Sequence, residues 1–389
     1  MINTRFLAPK LFYFFWFAAF GALAPFVSLY YREIGLDLAQ IGWLAALSGL
    51  TQLVFAPVWG VLADTLSLRR LLLPLAVAGT ILPALLISQT ESFSLLLVLV
   101  VLQAIFTAPI GALADSATIT LLGAAREQYG VQRVWGTVGW GASTIVTGWL
   151  IAQVGLRGIF GLYAGLGLLA ALAALALPRS ELTQTDLRGA AQTLLRDRRW
   201  FVFFGCVLLI GCNSAIISSF LSLYLQDLGA SSEQIGLGYT IATISELPVM
   251  VLSPWLIRRW SARGLMIAGG LLYAIRTAIY LVAPSVNWAL AAQILQGPCY
   301  AALWTGGVVE AQRLAPRGLE STAQSLFSLA VFGIASALAN LVGGQIYRDL
   351  GALALFGTVT VIALLGALAL LPGLVKHQPQ SIEQTLEQS

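Results

Sequence analysis

The stretch FVSLYYREIGLDLAQIGWL at residues 26–44 recurs as FLSLYLQDLGASSEQIGLG at residues 220–238. Eight of the nineteen positions are identical, among them Tyr30 and Tyr224, and the copies lie 194 residues apart, half of the 389-residue chain. A repeat of that period predicts an internal duplication, in which the two halves fold alike. The composition of the chain then decides what kind of structure is duplicated.

That composition is typical of an integral membrane protein. Hydrophobic residues make up 58% of the chain, charged residues make up 10%, and the mean hydropathy is +0.86. Soluble domains carry about 25% charged residues, so this chain lacks the polar surface that a soluble globule needs. Since one spanning helix uses about 20 apolar residues, the chain can supply about twelve spans and has no room for a separate catalytic or ligand-binding module.

Apolar runs bounded by charged residues or by glycine, proline and asparagine predict where these spans lie. Their approximate ranges are 9–31, 40–63, 71–89, 93–122, 133–154, 158–178, 200–226, 235–257, 264–283, 287–312, 319–347 and 351–372. The first apolar run, Leu11–Tyr31, is longer than the core of a signal peptide, so we expect it to be retained as the first helix.

The predicted architecture is an all-α membrane protein with twelve transmembrane helices in two pseudo-symmetric six-helix bundles. Its expected divisions are an N-terminal bundle at 1–178, a cytoplasmic linker at 179–199, a C-terminal bundle at 200–375 and a cytoplasmic tail at 376–389. The apolar residues of the linker recur at helical spacing, which favours a solvated linker helix over a regulatory site. Because six is an even number, both bundles insert with the same topology, as parallel repeats do, and this suits alternating access around a midplane cavity.

The distribution of basic residues predicts the orientation. One set of alternate connections holds Arg5, Lys10, Arg69, Arg70, Arg126, Arg179, Arg188, Arg196, Arg198, Arg199, Arg258, Arg259, Arg263, Arg313, Arg317 and Lys376, and the other holds Arg32, Arg157 and Arg348. By the positive-inside rule both termini are expected in the cytoplasm, in a bacterial-type inner membrane. The net charge of +4 follows from this asymmetry, so we expect a lipid bilayer as the surroundings and no nucleic acid as a partner.

Other classes of function lack the residues that they need. Cys206, Cys212 and Cys299 lie within apolar runs and are expected to be reduced, and the one histidine, His377, lies in the polar tail, so neither a disulfide framework nor a metal site is expected. Without a buried histidine, metal-ligand spacing or a phosphate-binding glycine loop, we expect neither an enzyme nor a cofactor. The tail is too short for the signalling domain of a receptor.

Five ionisable side chains fall inside the predicted spans or at their edges, namely Asp115, Arg133, Glu246, Arg276 and Glu310. An ionised group costs about 2.5–3.5 kcal/mol at the bilayer centre, so each needs a partner or a watery cavity. The first two flank residue 124 by nine residues, and the next two flank residue 261 by fifteen, so each pair is predicted to share a depth and to meet. These pairs form a functional site, or they only hold neighbouring helices together. Glu310 is expected to be an interfacial residue, a gate residue or a ligand.

Two other sequence features each allow two interpretations. GVLADTLSLRR at 60–70 joins spans two and three, and its aspartate and two arginines form either a topology anchor or a latch that breaks when the inner gate opens. Trp140 lies two helical turns beyond Arg133 and so on the same helical face. Its ring either stacks on a cyclic solute or packs in the core.

At these residues the chain resembles the major facilitator superfamily, and within it the branch of lactose permease, nucleoside permeases and phenylpropionate permeases. GVLADTLSLRR resembles the superfamily's loop signature Gly-x-x-x-Asp-Arg-x-Gly-x-Arg-Arg; it keeps Gly60, Asp64, Arg69 and Arg70 and carries Thr65 and Ser67 at two departures. QYGVQRVWGTVGW at 128–140 resembles the segment that enters span five in this branch. The resemblance covers nearly the whole chain, and the loop motif assigns the superfamily but says little about the solute.

The resemblance also implies the site residues. Asp115, Arg133 and Trp140 fall on the span-four carboxylate, the span-five arginine and the ring-stacking tryptophan of the branch, and Glu246 in ISELPV and Arg276 in YAIRTA match its span-eight glutamate and span-nine arginine. Span ten departs from lactose permease, because Gln296 and Cys299 stand where that family has its histidine and glutamate. Span seven offers Asn213 in place of acidic residues. These departures favour the phenylpropionate-permease side of the branch.

We therefore expect a secondary transporter, a proton-coupled symporter of a small polar or amphipathic solute such as a sugar, a nucleoside or an aromatic carboxylate, which works as a monomer. The expected solute site comprises Asp115, Arg133, Trp140, Asn213, Glu246, Arg276 and Gln296, with Glu246 and Asp115 coupling protons and Gly60, Asp64, Arg69 and Arg70 gating. A passive facilitator and a proton-driven exporter of the same fold are the alternatives.

Overall fold

The computed structural model describes residues 6–65, 71–178, 194, 196–316 and 319–373, and its regular structure in these ranges is helical. The first half contains α1 (Leu7–Leu23), α2 (Val27–Glu33), α3 (Leu38–Thr65), α4 (Leu72–Ile87), α5 (Phe93–Thr107), α6 (Ile110–Leu122), α7 (Tyr129–Val154) and α8 (Gly158–Ala174). The second half contains α9 (Arg198–Asp227), α10 (Ser232–Val282), α11 (Val286–Ala291), α12 (Gln296–Leu314), α13 (Glu320–Ser328) and α14 (Ser336–Ala369). A π-helical turn at Leu329–Ala335 joins α13 to α14.

Two long helices of the second half turn sharply within their length. α10 turns at Ser261 (φ 64°) and α14 turns at Gly351 (φ 84°), both in the left-handed region. Glycine adopts that conformation without steric cost. The Ser261 hydroxyl accepts a hydrogen bond from the amide of Gly264 at 3.1 Å, which caps the helix that follows. The turn about which Glu246 and Arg276 were placed is therefore found where the sequence predicts it.

Six helical stretches of the described residues are long and apolar enough to cross a membrane. They are Leu7–Glu33, Leu38–Trp59, Phe93–Leu122, Arg198–Asp227, Ser232–Val282 and Thr322–Ala369. The last two hold 51 and 48 residues. At 1.5 Å per residue, the length along each helical path is roughly 70–80 Å, more than twice the 30 Å thickness of the bilayer core. The all-helical, multi-pass character of the chain is confirmed, and the number of twelve spans stays a prediction.

Each half packs mainly upon itself. In the first half α1 lies against α7 and α8, and in the second half α9 lies against α14 and α10 against α12. Glycines allow α1 and α7 to approach each other closely. A Cβ on Gly139 would collide with the carbonyl oxygen of Phe14, and a Cβ on Gly21 would lie 3.0 Å from the carbonyl oxygen of Trp140. Small residues at helix interfaces permit such close backbone approach in membranes.

The two halves meet through α3 with α14 and through α7 with α10. At both contacts a glycine faces a backbone carbonyl: a Cβ on Gly344 would lie 2.5 Å from the oxygen of Leu38, and a Cβ on Gly148 would lie 2.5 Å from the oxygen of Ser232. The hydroxyls of Thr144 and Thr240 lie 2.8 Å apart across the second contact. These helix ends are therefore tightly closed against each other.

Charges join the halves at the same end of the molecule. Arg32 of α2 pairs with Asp227 of α9 at 2.5 Å, and Arg348 of α14 lies 3.9 Å from Asp37 at the start of α3. The Ser222 hydroxyl of α9 also donates to the backbone carbonyl that precedes α2. Within the described ranges, the hydrogen bonds and ion pairs resolved between the halves lie at this end, which we call the paired end. The opposite end is where α7 begins and α12 ends.

Candidate functional site

Arg133 projects from the second turn of α7 towards α1. Its guanidinium carbon lies 4.1 Å from the ring centroid of Phe17 and 5.3 Å from that of Tyr13, which are cation–π contacts. The described residues provide it with no carboxylate partner and no hydrogen bond. The side chain is partly exposed. Aromatic rings thus hold this positive charge in place without neutralising it.

Asp115 of α6 accepts a hydrogen bond from the Tyr13 hydroxyl at 2.6 Å. The predicted ion pair between Asp115 and Arg133 is not formed in the structure. The reason is local, since the Tyr13 hydroxyl binds the carboxylate while Arg133 lies over the rings of Tyr13 and Phe17. The two charges meet only through Tyr13, which contacts both of them.

Glu246 lies on α10, the helix of the second half that contacts α7 of the first half. Its carboxylate is partly exposed and makes no hydrogen bond or ion pair within the described part of the chain. Arg133, from the other half, lies near enough for its charge to act on this carboxylate. Gly297 of α12 sets the position of Glu246, because any Cβ at Gly297 would collide with the backbone of Ser245 and Glu246, and its amide donates to the Ser245 hydroxyl at 3.0 Å.

Arg276 forms no ion pair with Glu246 in the described structure. It is fully buried, and its guanidinium donates to the side-chain oxygen of Gln293 at 2.7 Å and to that of Gln296. Its charge lies 5.6 Å from the ring centroid of Tyr280. The predicted pair of Glu246 and Arg276 is therefore wrong for this conformation. Equal spacing about a turn matches two residues in depth, but it does not fix the direction in which each points around its helix.

Asn213 and Gln296 belong to the interior of the second half. The Asn213 amide donates to the hydroxyl of Thr277 and to the carbonyl of Val359, each at 3.1 Å, and the side chain is fully buried. Gln296 accepts from Arg276. Both residues thus support the buried arginine, and the structure does not bring them against the first half.

Tyr300 and Trp304 are two aromatic residues of α12 that the sequence analysis did not select. Their rings are nearly parallel, with centroids 6.2 Å apart and an interplanar angle of 10°. Tyr300 lies within electrostatic range of both Glu246 and Arg133. The spacing of Gly297, Tyr300 and Trp304 at i, i+3 and i+7 marks one helical face, and this pattern was the available signal.

Trp140 lies on the same face of α7 as Arg133. Its ring centroid is 5.5 Å from that of Phe20, with the planes tilted by 57°, and it remains half-buried. Arg133 over Phe17 and Trp140 over Phe20 are successive contacts along the α1–α7 interface. The structure therefore combines the two alternatives for Trp140, since one part of the ring packs against α1 and another part stays accessible.

Glu310 is the fifth predicted charge, and it belongs to another cluster. Its fully buried carboxylate pairs with Arg263 at 2.8 Å and with Arg313 at 2.9 Å, all within the second half. This arrangement fits an interfacial brace at the end opposite the paired end. In the loop assigned to gating, Gly60 and Asp64 lie in the last turns of α3 and their side chains are not described, and Arg69 and Arg70 lie outside the described residues.

Arg133 and Glu246 lie on α7 and α10, which contact each other across the two halves, and Tyr300 of α12 lies within electrostatic range of both charges; none of the three makes a hydrogen bond within the described chain. Aromatic rings flank these three groups. Such a set can bind a solute that carries hydrogen-bonding groups on a ring, and the carboxylate can bind a proton. The described residues contain no cluster of three or more histidine, cysteine, aspartate or glutamate side chains that suits a metal ion.

Comparison with known proteins identifies the family. The model of the MFS_1 like family matches residues 6–358. The chain belongs to this family. A maltose permease of Geobacillus stearothermophilus is 31% identical over 373 residues, which cover 93% of this chain and 92% of the permease. A probable 3-phenylpropionic acid transporter of Escherichia coli is 27% identical over 362 residues, covering 90% of this chain and 92% of that transporter.

Solved structures agree on the fold. The nucleoside transporter NupG superimposes with a TM-score of 0.84 at 18% identity, covering 97% of this chain and 100% of that one. A D-xylose-proton symporter superimposes with a TM-score of 0.72 at 15% identity, covering 94% and 96%. The expected superfamily is therefore confirmed, and the chain is a multi-pass membrane transporter of small molecules and not an enzyme.

Proposed function

We propose that this transporter is a proton-coupled symporter of a small polar or amphipathic solute, of the sugar, nucleoside or aromatic-carboxylate classes. One observation supports the proposal, namely that Glu246 and Arg133 lie on α10 and α7, which contact each other across the two halves, and that neither charge has a hydrogen-bond or ion-pair partner among the described residues. An unpartnered charge inside a membrane protein is a functional site by default. The 31% identity to a maltose permease supports the solute classes.

The coupling follows from the cost of leaving a charge unpaired when the site closes. With Glu246 ionised and no solute bound, closure of the site brings the carboxylate against Arg133, so that the two charges compensate each other and the empty site can change sides. A proton on Glu246 removes that compensation and leaves Arg133 unpaired, which is costly in a desolvated site. A solute whose oxygens bind Arg133 offsets the cost. Proton and solute therefore cross together, and neither crosses readily alone.

The architecture proposed for this cycle has twelve membrane crossings in two six-helix bundles. In it α10 and the stretch Thr322–Ala369 each cross twice, turning at Ser261 and Gly351. The bundles at 1–178 and 200–375, the linker, the tail and the cytoplasmic termini keep the positions expected from the basic residues. The paired end then faces outward, and the chain works as a monomer in the inner membrane.

The test uses purified protein in proteoliposomes with an imposed proton gradient. Radiolabelled maltose, uridine and 3-phenylpropionate serve as probes, and accumulation is compared with counterflow in the absence of a gradient. Glu246→Gln is expected to abolish accumulation of the transported probe and to keep counterflow, since a neutral side chain resembles the protonated carrier. Glu233→Gln, at the exposed start of the same helix, is the matched control and is expected to behave as the wild type.

The alternatives predict other results. A passive facilitator would show counterflow without accumulation in the wild type, and Glu246→Gln would leave transport intact. A proton-driven exporter would expel the probe when the gradient is imposed. Accumulation by Glu246→Gln equal to that of the wild type would contradict the proposed role of this carboxylate.

A further inference from the structure

Tyr13 of α1 contacts two charged side chains of the first half, Asp115 and Arg133. Its hydroxyl donates to the Asp115 carboxylate at 2.6 Å, and its ring centroid lies 5.3 Å from the guanidinium carbon of Arg133. Tyr13 itself is buried, and its ring packs edge-on against that of Phe12 with the centroids 5.8 Å apart. A side chain packed in this way has little freedom to turn, so it fixes both contacts at once.

The guanidinium of Arg133 lies in a slot between α1 and α7. Phe17 forms one wall of the slot, with its ring centroid 4.1 Å from the guanidinium carbon. Gly136, one turn further along α7, leaves the necessary room, because a Cβ there would lie 3.0 Å from Nη1 of Arg133 and 2.9 Å from the ring of Phe17. The two helices are close together just beyond this point, where a Cβ on Gly139 would collide with the carbonyl oxygen of Phe14. The slot thus belongs to a closely packed interface and directs the guanidinium onto aromatic rings.

These contacts keep two opposite charges apart. A guanidinium and a carboxylate form strong, charge-assisted hydrogen bonds with each other. Asp115 and Arg133 contact the same side chain, so the long arginine can reach the carboxylate by changing its rotamer. In the structure, however, the carboxylate accepts from a neutral hydroxyl, the guanidinium lies on neutral rings, and the described residues form no ion pair between the two. The N–H donors of Arg133 therefore stay free for another acceptor.

We propose that Tyr13 is a positioning residue of the solute site: its hydroxyl withholds Asp115 from Arg133 and so leaves the guanidinium free to bind acceptor groups of the solute. The assignment rests on the solute site proposed above and adds a residue to it. Without the hydroxyl, Asp115 loses its donor, and an unpaired carboxylate in these surroundings is costly. Arg133 then pairs with Asp115 inside the first half, and the guanidinium is lost to the solute.

The experiment measures how fast phenylglyoxal modifies Arg133 in the purified full-length transporter, by mass spectrometry of the peptide that contains this residue. The reagent needs a free guanidinium, so an ion pair with a carboxylate slows the reaction. Tyr13→Phe keeps the ring and removes the hydroxyl, and it is expected to slow the modification about two- to fivefold, the effect of a partly exposed ion pair. Adding Asp115→Asn to Tyr13→Phe removes the competing charge and is expected to restore the wild-type rate. The exposed Arg157 gives the internal reference rate.

Tyr163→Phe is the matched control. The Tyr163 hydroxyl donates to Thr80 at 2.8 Å in the interior of the same half, so the control also loses one buried hydrogen bond, and it is expected to leave the modification of Arg133 unchanged. Calorimetric binding of maltose, uridine and 3-phenylpropionate gives a second readout. The probe that the wild type binds most tightly is expected to bind about two- to fivefold more weakly to Tyr13→Phe and to show no measurable binding to Arg133→Ala.

The outcomes separate this inference from the proposed function. A wild-type modification rate in Tyr13→Phe overturns the inference, and it would show that another donor replaces the hydroxyl, such as Tyr129, which lies within electrostatic range of the carboxylate. Slowing that Asp115→Asn does not reverse also overturns it, because that result indicates a purely structural role of the hydroxyl. If both rates agree with the expectation but Arg133→Ala binds the probe as the wild type does, the separation of the two charges stands and the proposed solute site is overturned.

Discussion

Replacing Gly344 by alanine is expected to favour opening of the paired end. In the structure a Cβ at this position would lie 2.5 Å from the carbonyl oxygen of Leu38 and 3.2 Å from the Cα of Ala39. Ordinary contacts begin near 3.4 Å, so α3 and α14 have to separate by about 0.9 Å, and overpacking of this kind costs about 1–3 kcal/mol. Both atoms belong to backbone, which cannot move aside as a flexible side chain can.

The overpacking penalty applies only to the conformation in which the paired end is closed. Alanine is a better helix former than glycine by about 1 kcal/mol, but residue 344 is helical whether the end is open or closed, so this gain cancels between the two states. The penalty of about 1–3 kcal/mol therefore shifts the equilibrium towards the open form by about 5- to 150-fold. The gain would appear only in the free energy of unfolding.

The assay is labelling of a cysteine introduced at Ser222, which is buried at the paired end and donates to the other half. A membrane-impermeant maleimide is expected to react at least fivefold faster when Gly344→Ala is added to this background. Gly205→Ala of α9 is the matched control, since nothing lies within 4 Å of its Cβ position. A labelling rate within twofold of the parent for Gly344→Ala would refute the reasoning.

Three other predictions test separate contacts. Asp227→Asn removes the ion pair with Arg32, and both side chains of this pair are partly exposed. The substitution should therefore speed cysteine labelling at the paired end by about 1.4- to 5-fold, which corresponds to about 0.2–1 kcal/mol. A labelling rate that does not change at either high or low salt would contradict this prediction. Arg276→Ala leaves the two glutamine partners of the arginine unsatisfied and opens a cavity. Thermal unfolding in detergent should therefore show that the free energy of unfolding falls by about 2–5 kcal/mol. Glu310→Gln should cost about 3–5 kcal/mol by the same measurement, because it leaves two arginines without their shared counter-ion; wild-type stability would argue against the brace.

The sequence predicts the helical membrane character of the chain correctly, because this character depends on composition, and the duplication into two alike halves stays a prediction. The number of crossings is harder to obtain from helix lengths. Ser261 and Gly351 turn the chain within one or two residues, so two stretches remain continuous helix where the apolar pattern gives two spans each. A turn that short leaves almost no polar segment between the spans.

At the candidate site, spacing along the chain predicts the depth of a side chain in the membrane but not the direction in which it points. Spacing along the chain selects Arg133 and Glu246, which lie on contacting helices of opposite halves. Spacing also pairs Glu246 with Arg276, but the guanidinium of this arginine donates to the side-chain oxygens of Gln293 and Gln296, and the described residues form no ion pair between Glu246 and Arg276. Tyr13 was not predicted either, since nothing in its apolar surroundings reveals that a carboxylate from α6 reaches its hydroxyl.

The central claim is that the two halves close alternately around Arg133 and Glu246. Spin labels at Val131 and Trp255, exposed residues of α7 and α10 near the end opposite the paired end, report one side, and labels at Val154 and Leu237 of the same helices report the paired end. Distances from pulsed electron paramagnetic resonance with saturating solute at acidic pH should shorten for the first pair and lengthen for the second. Solute binding that leaves both distances unchanged would contradict the account.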